Sequence, residues 1–210
     1  MNVIHIIPSV FDYFDDIRDS AMALAERERD FGINAEAYTL QYGTVSRNEQ
    51  AVTAYKTPTM KFSGLFSGSY VISELDAADV VHLHAPFMGL AGDLIKWKKE
   101  RNIPLIVTFY RNVNIRDLFS LLLSLYNRYY LPKIINLADL VIASTSDTCK
   151  KLSVCSKISG TGKLRILSEL VSGSENENIH LTLDKNTIKL STADVEARAY
   201  ISVYNHLLNI

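Results

Sequence analysis

The stretch DVVHLHAP, residues 79–86, sets how the rest of this chain is read. It is a short β-branched, apolar run that carries two histidines, His82 and His84, and stops at Pro86. Apolar residues on both sides of such a run mark a strand buried inside a parallel sheet rather than one wetted on one face. Side chains two apart in a strand share a face, so His82 and His84 point together while Val81 and Leu83 point away. Three roles are open to such a pair: zinc ligands, acid–base groups, or polar residues at a strand end. Zinc needs at least a third protein ligand. His5 on a neighbouring strand is a candidate, but no Cys, Asp or Glu is placed by the sequence to complete a site. A metal is therefore not expected.

Working outward, Asn2–Pro8 is a second β-branched run closed by proline. The positions Ile17, Ala21, Leu24, Ala25 and Phe31 then recur at helical spacing, and Gly32 sits where a helix C-cap belongs. Ile33–Leu40 alternates apolar and polar residues as a strand. A strand, helix and strand in this order imply parallel pairing with a right-handed crossover. Residues 41–68, rich in Ser, Gly and Thr, hold one weak strand candidate at Val52–Tyr55. Helices are expected at Tyr70–Ala77 and Met88–Arg101, the second with a basic end that suits the helix dipole. Strands are expected at Val80–His84, Pro104–Phe109, Leu140–Ala143 and Leu164–Leu167. Ile115–Leu137 reads as a helix broken or kinked at Pro132, and Asp147–Lys157 as another helix. The polar stretch SGSENENIHLTLDKNTIK is expected to be a loop or small hairpin. A last helix spans Ala193–Asn209, with Val195, Ala199, Val203 and Leu207 on one stripe and Ser191 and Asp194 at the start of a capping box. Fully apolar strands alternating with helices predict an α/β fold: a doubly wound, mostly parallel, Rossmann-like sheet with helices on both faces. The expected organisation is one domain over 1–172, a polar connection over 173–190, and a helix over 191–210 packing back on that domain.

Composition narrows the function classes. The chain has 210 residues, 48% of them hydrophobic, enough for one well-packed domain. With 22 basic and 23 acidic residues the formal net charge is −1, which argues against nucleic acid as a partner. Cys149 and Cys155 lie in one polar stretch without zinc-site histidines and read as ordinary thiols of a reducing, cytoplasmic protein. The N-terminus lacks a basic flank, so no signal peptide is expected. Ser120, Ser124, Asn127 and Arg128 interrupt the longest apolar region, which falls short of the roughly 20 apolar residues of a membrane span. Residues 115–131 nevertheless combine leucines, tyrosines and Arg128, a mixture that suits peripheral contact with a membrane interface.

Several motifs are absent. The first strand leads into PSVFDYFDD, with no glycine before Gly32, so the dinucleotide-binding fingerprint fails. Gly162-Lys163 is followed by leucine, so no Walker loop is present, and no serine occupies a nucleophile elbow. Ligands of open α/β sheets bind at the carboxyl ends of the strands. His84 lies at such an end, as do Tyr110, which can share a hydrogen bond, and Arg111, which can grip a phosphate or carboxylate.

Taken in order, NVIHIIPS, ALAERERDFGINAEAYTL, DVVHLHAP, PLIVTFYRN, NLADLVIASTS and KLRILSEL resemble the N-terminal, acceptor-side domain of a family 4, GT-B-type glycosyltransferase over residues 1–170. The terminal helix resembles the one that crosses back onto the first domain in that two-domain fold. The resemblance implies sugar transfer from a nucleotide-sugar to a glycan or lipid-linked acceptor, with the donor as substrate and no resident cofactor. It also implies an acceptor cleft lined by Ser9, Phe11, His84, Pro86, Tyr110 and Arg111, with no catalytic residue assigned. Three departures stand beside it. PSVFDYF replaces the glycine-rich first loop, Tyr110 stands where a histidine is often found, and the donor-binding domain of about 150 residues is missing. Glu169 and Glu177 match the spacing of that domain's paired glutamates without their context. Three arrangements follow: an acceptor half working with a donor-binding partner subunit, an inactive binding or regulatory module, or a compact enzyme with its donor site rebuilt, for instance across a homodimer.

Overall fold

The computed structural model describes residues 1–8, 14–39, 41–42, 55–56, 59–60, 69–87, 91–110, 119–151, 158, 160–178 and 192–210. Its strands are β1 (Asn2–Ile7), β2 (Asn34–Thr39), β3 (Gln41–Tyr42), β4 (Tyr55–Lys56), β5 (Thr59–Met60), β6 (Val80–Ala85), β7 (Leu105–Phe109), β8 (Leu140–Ala143) and β9 (Leu164–Ile166). Its α-helices are α1 (Asp15–Asp30), α2 (Ser69–Glu74), α3 (Ala91–Glu100), α4 (Phe119–Leu125), α5 (Leu131–Leu137), α6 (Ser146–Lys151), α7 (Leu167–Asn178) and α8 (Thr192–Leu208). A seven-stranded sheet runs β4-β2-β1-β6-β7-β8-β9, and each of its strand pairs is parallel. β3 and β5 form a small parallel pair of their own. The expected α/β, Rossmann-like architecture is the observed one.

The central strands are buried on both faces, with every residue of β6, β7 and β8 buried. Alternation along these strands builds two cores. Ile4, Val81, Leu83, Val107 and Val141 face one layer, against Leu94 and Trp97 of α3 and Leu131, Ile134 and Ile135 of α5. Val3, Val80, Ile106 and Ile142 face the other, against Leu24 of α1 and Ala197, Tyr200 and Tyr204 of α8. Two aspartates tie strand starts together. Asp79 Oδ2 accepts the Asn2 N–H at 2.7 Å, and Asp139 Oδ2 accepts the Leu105 N–H at 2.8 Å. Each occupies the turn that enters the next strand, so the sequence Ala-Asp before β6 and β8 satisfies a neighbour's otherwise orphaned donor.

α1 buries Ile17, Ala21, Leu24, Ala25 and Glu28, one face at helical spacing. Its end is a Schellman motif: the Gly32 N–H reaches the Arg29 carbonyl at 2.9 Å and the Ile33 N–H the Glu28 carbonyl at 3.0 Å. Gly32 adopts φ +83°, which a side chain disfavours, so glycine belongs there.

Three elements differ from expectation. The long helix is interrupted ahead of Pro132 by a π-helical turn, Tyr126–Tyr130, and Pro132 itself sits in the first turn of α5. Proline has no N–H for the carbonyl four residues back and its ring crowds that carbonyl, so the helix widens there. The polar stretch expected as loop or hairpin is helical as far as Asn178, because Leu167 and the partly buried Leu170 and Val171 pack α7 on the second core. In α8 the most buried residues are Ala197, Ala199, Tyr200 and Tyr204, one helical step round from the expected stripe. Large aromatics that find polar partners override the plain aliphatic count. Val52, Ser191 and Cys155 lie outside the described residues.

Candidate active site: a buried histidine network

On the α8 side of the sheet, the side chains change character toward the carboxyl ends of the strands. Val3, Val80 and Ile106 give way to His5, His82, His84 and Thr108 on the same face. Register brings them together: His5 pairs with His82 across β1 and β6, and His84 with Thr108 across β6 and β7. The helices add Glu28 from α1 and Tyr200 and Tyr204 from α8. Among the described residues, six polar or charged ones are buried, and five of these belong to this cluster: His5, Glu28, His82, His84 and Thr108.

The cluster is one continuous hydrogen-bond network. Glu28 Oε2 lies 2.7 Å from His5 Nε2, and Glu28 Oε1 accepts the Tyr204 hydroxyl at 2.8 Å. His5 Nδ1 is 2.9 Å from His84 Nε2, and His84 Nδ1 is 3.0 Å from the Tyr110 hydroxyl. His82 places Nδ1 2.8 Å from the Tyr204 hydroxyl and Nε2 2.8 Å from Thr108 Oγ1, which lies 3.3 Å from the Tyr200 hydroxyl. No buried side-chain polar atom among the described residues lacks a partner. Polar groups this deep are costly unless paired, and here pairing is complete.

Burial, reinforced by the positive charges that His84 and His5 would carry, holds His82 well below the ordinary imidazole value of 6.5. Burial and His5 hold His84 down likewise. Both rings are therefore neutral at pH 7, each with one donor and one acceptor nitrogen. Burial also raises the Tyr110 and Tyr204 phenols well above 10, with the Glu28 carboxylate adding to both, so both hydroxyls keep their protons.

The nitrogens of His5, His82 and His84 come within 4.8 Å of one another, so the third histidine that the sequence left open is in place. The same nitrogens are engaged within the network. All six ring nitrogens have hydrogen-bond partners. The His82 and His84 rings stack 4.2 Å apart at 28°.

Of the residues predicted to line a cleft, His84 is fully buried and Pro86 is buried, and the Ala85-Pro86 bond is cis. Tyr110, directly after β7, is half-buried and is the one network member that reaches the surface. Its backbone is fixed from β8, where the Ser144 hydroxyl donates to the Tyr110 carbonyl. Ser9, Phe11 and Arg111 lie outside the described residues. Sequence reasoning did not find Glu28, Thr108, Tyr200 or Tyr204. Glu28 had a signal: it continues the apolar stripe Ile17, Ala21, Leu24, where a carboxylate needs a buried partner.

Residues 20–159 match the model of Glycosyltransferase Family 4, two thirds of the chain. The chain belongs to that family. Its fold is similar to that of an alpha-glucosyltransferase solved in complex with UDP-glucose and DNA containing an abasic site, with TM-score 0.52 and 9% identity. That match covers 81% of this chain and 45% of the other. An alpha-glucosyltransferase with UDP and a 13-mer DNA containing a HMU base gives TM-score 0.54 at 10% identity, covering 81% and 44%. This family 4 chain thus spans less than half the length of these two transferases. Among curated proteins, none matches the sequence. Among its described residues, no helix is long and apolar enough to cross a membrane.

Proposed function

We propose that this chain is the acceptor-holding half of a sugar transferase. A hydroxyl of a glycan or lipid-linked acceptor sits at the carboxyl edge of β6 and β7, beside Tyr110. A nucleotide-sugar is the donor, no resident cofactor is used, and a partner subunit or a second copy of this chain supplies the donor-binding surface. The observation that carries this reading is the half-buried Tyr110 at the sheet's carboxyl edge, in a chain of glycosyltransferase family 4, wired to a fully buried network. Edges of this kind are where open α/β sheets take their ligands. Group transfer needs both substrates held in one cleft while the departing diphosphate is neutralised, and a lone acceptor half does not provide for that.

In this reading the protein works in the cytoplasm, resting on the inner face of a membrane. Leu121, Leu122, Leu125, Tyr129 and Tyr130 form an exposed apolar run along α4 and the π-turn, with Arg128 against the Tyr129 ring. Large apolar patches on a monomer mark contacts with a partner or a lipid surface.

The test is purification of the tagged chain from its native host, followed by incubation with labelled nucleotide-sugars. Co-recovery of a donor-binding chain, or a stable homodimer, together with label transfer to a glycan or lipid fraction is the expected result. A strict monomer that recovers no partner and neither binds nor turns over any nucleotide-sugar would overturn the proposal.

A further inference from the structure

The network has a direction, and the direction follows from its ends. With Glu28 as a carboxylate, Oε2 can only accept, so His5 donates from Nε2, and a His5 ring that carries this one proton offers Nδ1 as an acceptor. His84 must then donate from Nε2 to His5, which leaves His84 Nδ1 to accept the Tyr110 hydroxyl proton. Every proton on this arm therefore points inward, from the half-buried tyrosine to the buried carboxylate. One added proton reverses the whole arm. If His5 gains a proton at Nδ1, it donates to His84 Nε2, His84 donates from Nδ1 to Tyr110, and the tyrosine hydroxyl turns outward.

We propose that Tyr110, His84, His5 and Glu28 form a proton relay that takes the proton of a hydroxyl bound at the carboxyl edge of β7. The inference rests on the acceptor-side reading above for the identity of that hydroxyl. As the acceptor oxygen attacks the sugar carbon, its O–H bond breaks and its proton joins the Tyr110 oxygen. The Tyr110 proton passes to His84 Nδ1, and the His84 Nε2 proton passes to His5 Nδ1. The bond from the sugar carbon to the nucleoside diphosphate breaks, and its electron pair leaves with the diphosphate. The charge comes to rest on His5 as an imidazolium 2.7 Å from Glu28, and returns to water by the same path once product has left. Tyr110 is the catalytic residue in this scheme, and the other three are positioning residues acting through it.

The surroundings favour His5 as the resting place. It alone of the three imidazoles has a carboxylate against it. His82 lies 5.1 Å away ring to ring, and its own bonds run to Tyr204 and Thr108, off the relay. From α8, Tyr204 holds the second Glu28 oxygen, and Glu196, partly buried, sends its field onto Tyr110. The Tyr110 phenol, held well above its ordinary value by burial, does not persist as a phenolate, so it gives up its own proton only as it takes one from the acceptor.

Nitrogen-15 NMR of the whole chain labelled at histidine, followed from pH 9 to pH 5, tests the relay without any sugar substrate. At high pH, His5 and His84 should both show the Nε2–H tautomer. Wherever His5 carries a second proton, His84 should hold its own proton on Nδ1 instead of Nε2 while staying neutral. Glu28→Gln should abolish that coupled switch. Because a buried substitution can unfold the chain, Tyr110→Phe at the half-buried end gives a second readout. Solvent exchange of the His5 and His84 ring protons should slow at least about tenfold, since a shuttle of this kind contributes one or more orders of magnitude to proton transfer. A His84 ring that keeps one tautomer while His5 charges, or unchanged exchange in Tyr110→Phe, overturns the relay. The two proposals fail separately. A coupled switch without sugar transfer removes only the transferase reading, and transfer that survives in full in Tyr110→Phe removes only the relay.

Discussion

His82 and His84 trade water for protein partners, and that exchange fixes a pH dependence. His82 and His84 are held neutral in the fold, well below 6.5, first by burial and then by neighbouring imidazoles. The unfolded chain regains ordinary imidazoles, so below pH 6.5 it binds protons that the native state refuses. Stability is then fully present above that value and is lost progressively as pH falls from it toward the lower native values. Urea unfolding should accordingly give one midpoint between pH 7.5 and 9 and a clearly lower one at pH 5.5. A midpoint that does not change over that span would show that the rings are not held neutral. At the same scale the sequence was informative but incomplete. The period of two put His82 and His84 on one face, and the structure confirms it. His84 nevertheless lies wholly beneath the surface, since α8 closes over this side of the sheet.

Elements were legible where a single period governed them. β1, β6, β7, β8 and α1 stand within two residues of their expected bounds, because buried strands and an amphipathic helix each carry one repeating signal. The stretch around Pro132 carries two signals, a helical repeat and a ring that forbids its continuation, and the π-turn is their compromise. That turn and α4 hold the exposed run of Leu121, Leu122, Leu125, Tyr129 and Tyr130, to which the proposed membrane contact belongs. Burying a leucine is worth roughly 1.5–3 kcal/mol, so Leu121→Glu with Leu125→Glu should weaken sedimentation with anionic vesicles at least about tenfold. Both positions are exposed, so the circular dichroism spectrum should not change. Vesicle binding equal to that of the parent chain would exclude this surface as the contact.

For the whole molecule, α8 is the decisive piece. It returns from the far end of the chain, 176 residues from Glu28, to set the Tyr204 hydroxyl between Glu28 and His82. Tyr204→Phe leaves a carboxylate oxygen and a ring nitrogen without that partner. Each buried group so orphaned costs about 1–3 kcal/mol, and a destabilisation of that size should appear in urea unfolding. An unchanged midpoint would mean that α8 is held by apolar packing alone. The sequence by itself determined the α/β class, the parallel pairing of its strands, the two-sided core and the likeness to glycosyltransferase family 4. These follow from local periods and from the order of short motifs, which need no knowledge of distant contacts. Tertiary structure alone decided what DVVHLHAP does. Strand register placed His5 beside His82, helix packing delivered Glu28, Tyr200 and Tyr204, and together they filled every hydrogen bond the histidines can make. A hydrogen bond depends on distance in space, and the partners of these two histidines come from strands and helices remote in the chain, so no reading of eight residues contains them.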